Sequence, residues 1–149
     1  MSAKCTWCNG EGKLLVVDDY KNMSASYVVC PVCGGRKEII TFHEYQGLAM
    51  RTCSFKDEMD KMAYHGVFGL ASEAGEVSGI FQKIYQGHEI DIDHLKKELG
   101  DCLWMITEIC SAYGMALSDV ASTNIEKLQE RYPNGFDPER SKIRQEGDI

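Results

Sequence analysis

Two Cys-x-x-Cys pairs constrain the fold of this chain more than any other feature. Cys5-Thr-Trp-Cys8 and Cys30-Pro-Val-Cys33 are separated by 21 residues, and each runs into a glycine turn, Cys8-Asn-Gly-Glu-Gly12 and Cys33-Gly-Gly35. Glycines after the second cysteine of a pair let backbone amides turn toward the thiolates. Four thiolates presented this way fit a closed tetrahedral zinc site. The surrounding residues are rich in short β-type runs and carry no long helical pattern. Residues 14–17 and 27–29 read as strands, 39–41 as a candidate third, and 18–26 as a polar connection. A segment this short cannot bury a core of its own, and a metal would staple it. Residues 1–40 are therefore expected to form a small β zinc ribbon, with Cys5, Cys8, Cys30 and Cys33 as ligands of a structural Zn²⁺. A closed site has no open coordination position, so no catalysis is expected there.

The remaining chain reads as helical. Thr41-Phe-His-Glu44 has the form of a capping box, followed by Tyr45, Leu48, Ala49 and Thr52 at helical spacing. A second helix is expected over residues 57–86 with Gly87 as its stop. Its apolar members are Tyr64, Val67, Phe68, Ala71, Ala74, Val77, Phe81 and Ile84. Gly66, Gly69, Gly75 and Gly79 lie inside that pattern. Each costs roughly 1 kcal/mol of helix propensity, which predicts close backbone packing in return. Asp93 is expected to cap a third helix ending near Tyr113, with Leu95, Leu99, Cys102, Leu103, Ile106 and Ile109 as its stripe. Ser118 is expected to cap a fourth, lined by Ala121, Ile125, Leu128 and Tyr132 and ended by Pro133. Four such helices suit a bundle. The expected architecture is mainly α: a four-helix bundle over 41–136 preceded by the ribbon, with 137–149 as a tail without order. A bundle of this size gains from an oligomer that buries its apolar faces.

The chemistry sits in two carboxylate pairs, Glu73-Ala-Gly-Glu76 and Glu98-Leu-Gly-Asp101. Spacing of i, i+3 sends both acids of a pair out of one side of a helix. Many helices carry such pairs on a solvated face, but these are embedded in apolar runs, Gly69-Leu-Ala-Ser-Glu73 and Asp101-Cys-Leu-Trp104. Glycine also stands directly before the last acid of each pair, which would let a helix or ligand come close. Carboxylates beside a core are costly without a counter-charge. Hard oxygen donors suit Mg²⁺, which keeps waters and takes phosphate oxygens as further ligands.

Here the sequence resembles the all-α nucleoside triphosphate pyrophosphohydrolases of the MazG type, whose signature is Glu-x-x-Glu, a spacer, then Glu-x-x-Asp. The spacer is 21 residues here, and Asn124-Ile-Glu-Lys127-Leu-Gln-Glu-Arg131-Tyr-Pro133 resembles the closing Asn-x-x-Lys-x-x-x-Arg-Tyr-Pro. Many relatives carry an additional glutamate where this chain has Ser72. The resemblance implies that Glu73, Glu76, Glu98 and Asp101 are catalytic ligands of Mg²⁺, with Mn²⁺ as a substitute. It implies that Glu76 or Glu73 orients or deprotonates the attacking water. Asn124, Lys127 and Arg131, with Lys83 as a weaker candidate, would hold phosphates. The implied reaction converts a nucleoside or deoxynucleoside triphosphate to its monophosphate and pyrophosphate. A homodimer or homotetramer is implied too. The ribbon motif Cys-x-x-Cys-x-Gly-x-Gly resembles the repeats of the DnaJ cysteine-rich domain, with Lys37 where a later glycine of the second repeat would fall; no chaperone function follows from it.

Composition bounds the alternatives. A formal charge of -7, from 23 acidic and 16 basic residues, argues against a phosphate backbone as the main partner. Lys4, Lys13, Arg36, Lys37 and Trp7 leave a nucleic-acid contact by the ribbon open but not favoured. A nucleic-acid-binding or regulatory protein with a non-catalytic helical part is the alternative reading. No stretch approaches the ~18 apolar residues of a membrane span, the first ten residues do not read as a signal peptide, and paired cysteine spacing fits metal in a reducing compartment. A cytoplasmic protein without membrane contact is expected. Cys53, Cys102 and Cys110 lack paired spacing, and the last two are expected as small buried hydrophobes. His43, His65, His88 and His94 show no ligand spacing. Trp104 and Tyr113 fit helix packing.

Overall fold

A computed structural model of the protein describes residues 3–19 and 24–142. The fold is mainly helical, with a small β region in front, as expected. The chain divides into two compact units, Met1–Leu48 and Ala49–Ile149.

In the first unit, β1 (Ala3–Lys4) pairs antiparallel with β4 (Glu38–Ile39), and β2 (Lys13–Asp19) pairs antiparallel with β3 (Ser24–Val29). Lys13 lies opposite Val29 and Leu15 opposite Tyr27, with an irregularity between Val17 and Asp19. Two expectations are corrected here, and one strand was not expected. Strand pairing reaches into the residues expected as a polar connection, because Asp19 and Ser24 still find ladder partners; the part of that connection at 20–23 lies outside the described residues. The last strand ends at Ile39 because Thr41 serves as a helix cap instead. Ala3–Lys4 forms a strand too short to leave a periodic signal. The core of this unit is the four cysteines, all buried, with Leu14 packed against them.

Helix α1 (Phe42–Ala49) starts on the expected capping box. The Thr41 N–H donates to Glu44 Oε2 at 3.1 Å, and the Glu44 N–H donates to Thr41 Oγ1 at 3.2 Å. A 3-10 turn, Met50–Thr52, follows.

In the second unit, α2 (Met59–Tyr85) and α3 (Ile92–Ala112) are the extensively packed pair. Gly87, at φ +96°, ends α2 in a Schellman arrangement: its N–H reaches the Ile84 carbonyl, and the His88 N–H reaches Lys83. Asp91 caps α3, accepting from the His94 N–H at 3.0 Å. Asp93 is therefore not the cap; it lies within the first turn and pairs with Lys96. Helix α4 (Leu117–Arg131) starts after Ala116 without a side-chain cap, and Ser118, expected in that role, lies inside the helix and bonds Asp119. Asp137 caps a short helix α5 (Pro138–Lys142), so the expected tail is ordered at its start; residues 143–149 lie outside the described residues.

Close approach of α2 to α3 rests on two of the four glycines. A Cβ at Gly66 would lie 2.7 Å from Ile109 Cγ1 and 3.1 Å from the Met105 carbonyl oxygen, and one at Gly69 would overlap the Met105 side chain. Gly75, Gly79 and Gly100 face open space, which corrects the expectation that each permits a close contact. The side of α2 buried against its neighbours is Met62, Ala63, Gly66 and Ile80. Tyr64, Val67, Phe68 and Phe81, expected in the core, are exposed in the single chain. On α3 Leu99 and on α4 Ile125 and Leu128 are likewise exposed. The sequence pattern marks these positions as apolar without saying which apolar side meets a neighbour in the same chain. Tyr113 is also exposed and forms the end of α3 rather than packing between helices.

Candidate metal centres and an open groove

The four ribbon sulfurs lie within 4.8 Å of one another. Cys5 Sγ is 3.9 Å from Cys30 Sγ, and Cys8 Sγ is 3.7 Å from Cys33 Sγ. A Zn–S bond of about 2.3 Å gives a tetrahedral S···S edge of about 3.8 Å. The donor set and its spacing therefore fit zinc, and among the described residues no histidine or carboxylate joins the four sulfurs. The two turns are near copies. Positions one, two and four after each second cysteine have positive φ: Asn9, Gly10 and Gly12 in the first, Gly34, Gly35 and Lys37 in the second. The Cys30 N–H donates to the Gly12 carbonyl and the Cys5 N–H to the Lys37 carbonyl, both at 2.9 Å. Gly12 is confined further, since a Cβ there would lie 2.6 Å from the Gly35 carbonyl oxygen. Lys37 takes the left-handed backbone that Gly12 takes in the first turn. Burial raises the Cys8 thiol, but the Gly12 N–H at 3.2 Å and the neighbouring cysteines outweigh it and bring the pKa down to about 6. Burial dominates at Cys30 and pushes it up to about 11.

In the helical unit, α2 supplies Glu73 and α3 supplies Glu98 and Asp101, with one oxygen of each within 4.8 Å of the others. Glu98 is buried, Glu73 half-buried and Asp101 exposed. Burial raises the Glu73 pKa above the usual carboxylate range, and the charges of Glu76, Asp101 and Glu98 add to the rise. Three oxygen donors from two rigid helices suit a hard divalent cation. Glu76 is exposed and stands outside the three-oxygen cluster, although its charge is felt at Glu73. His94 Nε2 lies 3.0 Å from Glu98 Oε1. The i, i+4 step from His94 to Glu98 carries that contact in the sequence, as a helical neighbour of an acid rather than as a metal-ligand spacing.

The phosphate candidates divide. Asn124 and Lys127 line an open groove of about 560 Å³ together with Gly114, Met115, Asp119, Val120 and Thr123. Arg131 is not among its lining residues; its Nη2 donates to the Ser141 carbonyl at 3.3 Å, and its guanidinium lies over Tyr132. Lys83 is exposed in the last turn of α2. None of the cluster carboxylates lines the groove.

A second buried polar group was not legible as a site. Glu108 is fully buried and accepts from Cys53 Sγ at 3.3 Å, with His65 Nδ1 at 2.7 Å from its other oxygen. Trp104 meets the His65 ring edge-on and donates to the Ala49 carbonyl at 3.2 Å. Burial, then Glu108, raises the Cys53 thiol. Cys110 is buried as expected, whereas Cys102 is only half-buried.

Residues 67–136 match the MazG nucleotide pyrophosphohydrolase domain. The chain is also 32% identical over 84 residues to the Gene 37 protein of Mycobacterium phage L5, an alignment covering 53% of this chain and 73% of that protein. No solved structure matches. No described helix is long and apolar enough to cross a membrane.

Proposed function

Since the chain belongs to the MazG nucleotide pyrophosphohydrolase family, we propose that it hydrolyses nucleoside or deoxynucleoside triphosphates to monophosphate and pyrophosphate at the Glu73–Glu98–Asp101 cluster, with Mg²⁺ as cofactor and Mn²⁺ as a substitute. The observation that carries this reading is the convergence of those three oxygens from α2 and α3 within 4.8 Å. A divalent cation held there would neutralise phosphate charge and favour hydroxide from bound water. Glu76, outside the cluster but next to it, is the residue we assign to orienting the attacking water and taking its proton. Water adds at the α-phosphorus, the bond to the bridging oxygen breaks, and pyrophosphate leaves with that oxygen.

Asn124 and Lys127 would hold the phosphates, with Lys127 countering charge on the leaving group. Arg131 joins them on releasing its 3.3 Å bond to Ser141, and Lys83 is a further candidate. Exposed apolar residues on both α2 and α4 support a homodimer or homotetramer that brings the α4 groove and a carboxylate cluster together. The ribbon, residues 1–40, would hold one structural Zn²⁺ on Cys5, Cys8, Cys30 and Cys33, supported by the S···S spacing. The catalytic domain spans 41–136, and the protein would act in the cytoplasm.

Turnover in ¹⁸O-labelled water tests the reaction. Label in the monophosphate and none in pyrophosphate is expected. Label in pyrophosphate would mean attack at the β-phosphorus, and orthophosphate with a diphosphate as first products would mean a different phosphatase.

A further inference from the structure

We propose that His94 is a positioning residue for the carboxylate cluster: its imidazole holds one oxygen of Glu98 so that the other is presented to the cation. The inference rests on the metal-site reading above. Glu98 is the most buried acid of the cluster, with a side chain 11% exposed and two other carboxylates close to it. A carboxyl in that setting is pushed away by its neighbours and has few waters to orient it. His94 Nε2 sits 3.0 Å from Glu98 Oε1, within reach of a charge-assisted hydrogen bond. His94 itself stands outside the oxygen cluster, so it acts through Glu98 rather than as a ligand.

Its own placement is over-determined from below. The His94 N–H donates to Asp91 Oδ1 at 3.0 Å, so the residue that caps α3 also seats the backbone of the residue that orients Glu98. Cap, imidazole and ligand thus follow one another up the first turns of α3, at positions 91, 94 and 98. The arrangement has the form of an outer-shell partner of a metal ligand, and loss of such a partner costs roughly 10–100-fold in metal affinity.

The test is Mn²⁺ binding to the zinc-loaded full chain, read by the electron paramagnetic resonance of free Mn²⁺, alongside turnover over a range of Mg²⁺. His94→Ala is expected to weaken Mn²⁺ binding about tenfold while saturating Mg²⁺ restores kcat. His94→Gln keeps an N–H donor able to reach four residues along the helix and is expected to restore most of the affinity. Unchanged Mn²⁺ binding in His94→Ala would overturn the inference, as would a His94→Gln variant as weak as the alanine. Glu98→Gln separates the two readings: it should lose Mn²⁺ whatever His94 does. Wild-type affinity in Glu98→Gln, or no Mn²⁺ binding by the wild type, would overturn the metal site itself and the role of His94 with it.

Discussion

Replacing His65 by leucine should destabilise the helical unit by about 2–3 kcal/mol, and the reason lies in Glu108. The Glu108 side chain is 0% exposed, and its two oxygens have two partners, the Cys53 thiol at 3.3 Å and His65 Nδ1 at 2.7 Å. Thiols are weak donors, so His65→Leu leaves a buried carboxylate with almost no compensation. Stranding a buried ion costs about 3–5 kcal/mol, and a hydrogen bond to a charged group is worth about 1.5–3 kcal/mol. The His65 side chain is 45% exposed, so water screens part of the pair and can take the vacated place, which puts the loss near the lower range. For a unit of this size that is a fall in Tm of about 8–24 °C. Glu108→Leu removes the charge together with its need for a partner, so the double variant should be more stable than His65→Leu alone. Urea unfolding followed by circular dichroism, with an unchanged slope, would give the three free energies. A loss under about 0.5 kcal/mol in His65→Leu, or strict additivity of the two substitutions, would refute the reasoning.

Metal analysis of protein purified without added zinc should find one zinc per chain, and stripping it should expose Cys5 and Cys30 to alkylation; a zinc-free chain with those thiols protected would contradict the ribbon site. Lys37→Gly should stabilise the ribbon by about 1 kcal/mol, since glycine takes the left-handed backbone without strain, and thermal melts of the zinc-loaded protein would show it. Asp101→Asn or Glu98→Gln should abolish pyrophosphate release with the helical circular dichroism retained; near-full turnover would mean the site is misassigned. Asp91→Ala should cost about 1 kcal/mol as a lost cap, whereas Asp93→Ala should be nearly neutral in the same urea titration.

Features made by residues adjacent in the chain are legible in the amino-acid sequence by itself. The cysteine spacing and its glycines specify two matching thiolate turns because each turn is built from consecutive residues. The capping box at Thr41 and Glu44 and the stop at Gly87 are local for the same reason. Helical geometry alone places the i, i+3 acids on one side of each helix. Tertiary structure decides what depends on which side of a helix meets another. It brings Glu73 across to Glu98 and Asp101 and leaves Glu76 outside. It bonds Arg131 to Ser141 and leaves it out of the lining of the groove that Asn124 and Lys127 share. It sets Gly66 and Gly69 at the α2–α3 crossing while Gly75 and Gly100 face open space. It also pairs His65 with Glu108 across 43 residues. An apolar period states that a side will be buried, but α2 is apolar on more than one side. Only the packing of the folded chain determines that Met62, Ala63 and Gly66 are covered while Tyr64, Val67 and Phe68 stay on the surface of the single chain.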